Sequence, residues 1–171
     1  MTDDLPERAV RAFQRHEAFQ RDGDGFAVTT TTFDGRVTAD DTDDRAPSYT
    51  LEVRAPTLSA ATEETVGAAV QEGWFETYER RLEDAPMAVR FDVGLESLRV
   101  TEDGDEAVAA FEFRWHNPDQ APDIAKAMAE YVEGTYMEGI VPGYRYRPPV
   151  SEMLSRARQS DAEGDRGPMP L

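Results

Sequence analysis

The sequence predicts an α+β fold: an antiparallel sheet of about five strands with helices packed on one face. Three observations carry this. Two groups of alternating strand-like runs are separated by a segment of helical period, further helical segments open and close the chain, and Asp/Gly turns punctuate the strand regions. The predicted order is helix, three strands, helix, two strands, helix, with one more short helix at the end.

Each element has its own justification. Asp3 and Asp4 precede Leu5-Pro6, an acidic cap followed by proline in the first turn, and Leu5, Ala9, Ala12, Phe13, His16 and Phe19 lie on one helical face until Asp22-Gly23. Phe26 to Phe33 is rich in β-branched and aromatic residues, Asp34-Gly35 is a two-residue hairpin signal, and Arg36 to Thr38 begins the return strand. An acidic loop over Ala39 to Ser48 leads into Tyr49, Leu51 and Val53, which alternate with polar residues until Ala55-Pro56. Thr62 with Glu63 and Glu64 suits a helix start, because carboxylates are favoured at the positive end of the helix dipole, and the helical face runs to Leu82 with Gly73 as a candidate kink.

The second strand group reads as Met87, Val89, Phe91 and Val93, resumed by Leu98 and Val100, then the turn Glu102 to Asp105 and the apolar face of Phe111, Phe113 and Trp115. Asn117-Pro118-Asp119 breaks that strand, and Ile124, Met128, Tyr131, Val132, Thr135 and Ile140 describe a long amphipathic helix stopped by Pro142-Gly143. A short helix is expected from Pro149 to Arg158. Residues 1–159 read as one domain and 160–171 as a disordered tail with almost nothing to bury.

The 171 residues, 39% apolar, are enough for a substantial core, but 35 acidic against 18 basic residues leave a net charge of -17. All basic residues but Lys126 are arginine, and acids are spread along the chain. The pattern fits a halophilic surface, whose self-repulsion is screened in concentrated salt. It disfavours direct binding to nucleic acid or an anionic membrane. There is no cysteine, hence no disulfide or thiolate chemistry. An acidic N-terminus and the lack of a long apolar run predict a cytoplasmic protein.

The segments GWFET at Gly73 to Thr77 and VEGTYMEGIVPGYRY at Val132 to Tyr146 resemble an uncharacterised haloarchaeal protein family, a domain of unknown function. That resemblance implies a habitat and no activity. The order of elements is similar to that of type III secretion chaperones and other small α+β proteins.

Catalytic signatures are sparse. His16 lies in the apolar stripe of the first helix, where a neutral ring bonded to backbone is the common arrangement; His116 sits at a strand exit. Asp40, Asp41, Asp43 and Asp44 offer oxygen ligands without the glycine and distal glutamate of a calcium loop, and Asp22-Gly23-Asp24-Gly25 has only a fragment of that pattern. No metal site and no cofactor motif is assigned. An enzyme is therefore unsupported by any motif.

Two sites are expected. Tyr144, Arg145, Tyr146 and Arg147 alternate, so an extended backbone places the tyrosines on one face and the arginines on the other. This strip is either a docking surface for a protein partner or another copy of the chain, or a clasp held by the protein's own residues. The alternative is a small-molecule pocket between the long helix and the sheet, lined by Trp74, Trp115, Tyr131 and Tyr136 and served by Arg114 and His116. A non-enzymatic binding or chaperone-like module is the leading expectation, with a ligand-binding protein or enzyme as the other.

Overall fold

The computed structural model describes residues 7–40 and 46–165. The expected cap at Asp3 to Pro6, most of the acidic loop including Asp41, Asp43 and Asp44, and residues 166–171 lie outside the described residues.

The six strands β1 (Phe19–Asp22), β2 (Gly25–Val28), β3 (Asp34–Asp40), β4 (Ser48–Pro56), β5 (Leu95–Asp103) and β6 (Glu106–Arg114) form one antiparallel sheet in the order β1-β2-β3-β4-β6-β5. Helices α1 (Glu7–Arg15), α2 (Leu58–Ala61), α3 (Ala68–Leu82), α4 (Ala121–Glu138) and α5 (Val150–Asp165) complete it.

Alternation decides which face is covered. Tyr49, Leu51, Val53 and Ala55 of β4 are buried, and the residues between them are half-exposed. Register extends the buried rows across the sheet, with Leu51 between Val37 and Phe111 and Tyr49 between Ala39 and Phe113. Onto this face α4 delivers Ile124, Ala125, Met128 and Val132, all shut off from solvent. At about 25 cal/mol per Å², Ile124, Met128 and Val132 each contribute roughly 1.5–3 kcal/mol to holding α4 on the sheet. Phe13 of α1 closes one end, stacked on Phe26 and edge-on to Phe19. The opposite face carries Thr38, Thr50, Glu52, Arg54 and Glu112.

The α+β architecture matches the sequence reading, with six strands where about five were expected; five local assignments differ. The first helix stops at Arg15, because the chain turns at His16, whose Nδ1 accepts the Ala18 N–H at 3.2 Å, and Phe19 opens β1. The hairpin turn falls at Gly23, where φ is 61°, and not at Asp34-Gly35. Gly35 instead lies within β3, where a Cβ would stand 2.9 Å from the Val28 side chain. The helix expected from Thr62 starts at Ala68; the preceding turn is α2, capped by Thr57, whose Oγ1 accepts the Ala60 N–H at 3.2 Å.

The expected strand from Met87 to Val93 does not form. Ala85–Ala88 make a 3-10 turn around Pro86, Met87 is 83% exposed, and pairing with β6 begins at Leu95, next to a bulge. As the sheet's edge, β5 carries Glu96, Arg99, Glu102 and Asp103, charges that discourage further strand addition. The final helix is longer than expected and reaches Asp165.

Candidate functional site

The α3 and α4 helices leave a cleft of about 240 Å³ between them. On α3, Trp74, Thr77, Tyr78 and Arg81 recur at i, i+3, i+4 and i+7, so one helical face lines it. Thr135 of α4 and the capping Gly139, with Val141 just beyond, form the opposite side.

Three aromatic rings build its wall. Trp74 stacks on Tyr78 with centroids 5.2 Å apart, and Tyr136 meets both edge-on at 5.6 and 5.9 Å. Tyr136 is itself a post: its hydroxyl donates to the Pro56 carbonyl at 2.9 Å, and Phe33 meets its ring edge-on. Such edge-on and offset contacts suit the ring quadrupoles and hold the wall rigid. Gly139 lies opposite the indole, with Trp74 Nε1 at 4.0 Å, ordinary contact, from where a Cβ would stand.

Tyr78 is 3% exposed, and among the described residues its hydroxyl, like that of Tyr49 in the core, is buried with no hydrogen-bond partner. A buried polar group left unmade costs roughly 1–3 kcal/mol. Burial pushes its acidity, and that of Tyr136, well away from the ordinary phenol value, so both remain neutral.

The strip predicted from the sequence borders this cleft. Tyr146 O–H donates to the Val141 carbonyl at 2.7 Å, and the Val141 N–H donates to the same oxygen at 3.0 Å. The strip in turn runs antiparallel to the segment after α2: Thr62 bridges Tyr146, Arg147 N–H donates to the Ala61 carbonyl, and Glu63 N–H donates to the Arg145 carbonyl. Arg147 Nε adds a bond to the Thr62 carbonyl at 3.0 Å, and the Arg145 N–H donates to the Glu64 carboxylate. Both arginines are exposed, and Tyr144 and Tyr146 are half-buried.

The other expected lining residues divide between two places. Trp74 lines the cleft, Tyr136 backs it, and Tyr131 lies at its α3 end, donating its hydroxyl to the Arg81 carbonyl at 3.1 Å. Arg114, Trp115 and His116 stand at the far end of the sheet. Tyr136 is anchored at Pro56, opposite Glu106, whereas Arg114 ends the same nine-residue β6, about 27 Å away at 3.4 Å per residue. There Trp115 donates to Gln120 Oε1 at 2.7 Å and packs against Phe91 and His116, and Arg114 approaches Glu96 at 3.5 Å. The α4 side chains that face the sheet are shut off from solvent, and the cavity that Trp74 lines lies between α3 and α4.

The remaining polar candidates are tied to neighbours. His16 Nδ1 accepts from Ala18, which leaves the ring proton on Nε2, facing Asp123 Oδ1 at 2.8 Å. Asp22 and Asp24 both pair with Arg36. Among the described residues no three His, Asp or Glu side chains converge as a metal site.

Sequence reasoning missed Tyr78, Thr77, Arg81 and Gly139. Their signal was the continuation of the Trp74 face along α3, which periodicity displays once a second helix is known to lie against it.

Fold and cleft together define a small α+β protein with one open antiparallel sheet and an aromatic-walled interhelical cleft. A family model described as a family of unknown function, DUF5813, matches residues 14–156, and the chain belongs to that family. No curated protein and no solved structure gives a significant match.

Proposed function

We propose that this protein binds a small molecule in the cleft between α3 and α4. The observation that carries the reading is the partly apolar, aromatic-walled cavity of about 240 Å³ between the two helices, with the Arg81 guanidinium on its lining. Concave, mostly apolar sites with a few polar groups are the usual form of ligand pockets. A cavity of about 150 Å³ already accommodates benzene in another protein, so the space suits a fragment-sized ligand. A screen of such fragments by amide chemical shifts should give hits that move Gly73, Gly139 and Val141. A Thr77→Phe variant, which fills the cleft, should abolish them; hits that persist in it, or that map to other surfaces, would sink the reading.

A second reading is docking of a protein partner or a second copy on the open sheet face, with the chain acting as a non-enzymatic, chaperone-like module. Its support is the row of half-exposed Thr50, Glu52 and Arg54 on the face opposite the core. Light scattering in concentrated salt tests self-association: a monomer whose mass is unaffected by Thr50→Arg removes that form of it. The net charge of -17 supports a halophilic, cytoplasmic setting without nucleic-acid or membrane partners for either reading.

A further inference from the structure

Resting on the cleft reading, we propose that the ligand is a small carboxylic acid with an apolar body, bound as its anion with the carboxylate toward Arg81. Among the described residues Arg81 is the one charged side chain lining the cleft, and it is cationic in a chain where acids outnumber bases 35 to 18. The other lining side chains are aromatic, aliphatic or hydroxyl-bearing. A guanidinium presents donors in a fork that matches a carboxylate, and charge-assisted bonds of this kind are the stronger class.

Arg81 is not fully committed elsewhere. Its guanidinium lies 3.9 Å from Glu138, a long approach between two groups about half-exposed or more.

Competing chemistries fit less well. A phosphate ester would bring about two charges against one arginine, with no glycine-rich loop, and the carbonyl end of α4 at Gly139 nearby, which disfavours any anion, would penalise it about twice as much as a carboxylate. A cation would gain from the aromatic wall but would face Arg81. The long-range repulsion expected from the net charge is cut within about 10 Å at 0.1 M salt, leaving the local guanidinium to decide.

Benzoate, benzyl alcohol and benzylamine share one ring and differ in charge. With Trp115→Phe, Trp74 is the sole indole and its fluorescence reports the cleft; amide shifts of Gly73 and Gly139 in the unmodified protein serve if that variant does not fold. The expected order of affinity is benzoate, then benzyl alcohol, then benzylamine, and Arg81→Gln should weaken benzoate tenfold or more while leaving benzyl alcohol within about twofold. Arg81→Lys should recover part of the loss, since it keeps the charge and loses the fork. If all three bind alike, or benzylamine binds best, the carboxylate assignment is overturned and the cleft stands. If none perturbs Trp74 or the cleft amides, both fall.

Discussion

Replacing Tyr146 by phenylalanine separates a clasp from a docking strip. The hydroxyl makes two hydrogen bonds, both to the backbone of Val141, and the aromatic ring is unchanged by the substitution. Each bond is worth about 1 kcal/mol net, and Val141 is half-exposed, so water can partly replace the lost partner. The expected cost is about 1–2 kcal/mol. For a chain of this size each kcal/mol moves the melting temperature by about 2–4 °C, giving a fall of about 2–8 °C. Urea titration and thermal melting measure it, and hydrogen exchange at the Val141 amide should accelerate. Arg145→Ala is the control: the bond between its backbone N–H and Glu64 survives truncation, and an exposed substitution of this kind stays within about 0.5 kcal/mol. A Tyr146→Phe variant as stable as the parent, with Val141 exchange unchanged, would refute the clasp.

Buried tyrosines set an alkaline limit. Burial pushes Tyr49 up to about 12, and Tyr78 and Tyr136 shift in the same direction for the same reason. Their neutral forms are favoured by the fold, so this stability is complete below the ordinary phenol range near pH 10 and is lost as pH rises through the folded values. Tyrosinate absorbance should therefore show these three titrating together with unfolding; their ionisation near pH 10 in the folded protein would contradict the burial. On the acid side, the hydrogen bond from Arg8 holds the Asp119 carboxyl below its ordinary range, so its contribution is present above that range and disappears as pH falls through the folded value. Carbon NMR should find the carboxyl returning upward in Arg8→Ala, and an unmoved titration would exclude the pairing. Lowering salt from about 1 M to about 0.1 M lengthens the screening distance from about 3 to 10 Å, and the melting temperature should drop; an unchanged value would contradict self-repulsion as a governing force.

The elements most legible in the sequence are those whose pattern and partner agree. Tyr49, Leu51 and Val53 alternate and sit between two strands; Ile124, Met128 and Val132 recur at helical spacing and meet the sheet. Where pattern lacked a partner it misled. Met87 to Val93 alternates as well as β4 does, yet no strand is available to pair with it before Leu95. Phe19 continues a helical stripe by spacing alone, although a side-chain bond at His16 has already turned the chain. Gly35 looked like a turn residue, and its actual requirement is the close approach of Val28 from the neighbouring strand, a contact no local reading contains. The site was half legible for the same reason. Trp74 and Tyr136 are large aromatics that a pocket reading selects on type; pairing them with Arg114, Trp115 and His116 required knowing that β6 separates the two groups.

Val141 links the clasp to the cleft, and linkage makes that connection measurable. It lines the cavity and is the residue gripped by Tyr146. A ligand that binds only the folded state stabilises by RT ln(1 + [L]/Kd), about 2.7 kcal/mol at a hundredfold excess over Kd. If the hydroxyl holds the Val141 wall in its binding position, Tyr146→Phe must weaken benzoate as well as the fold. The same benzoate concentration then adds less stability to the variant, and the cost of the substitution is larger with ligand than without. A cycle of parent and variant, each with and without benzoate, yields that coupling directly. Equal costs in both states would mean that the strip closes the chain without shaping the cleft.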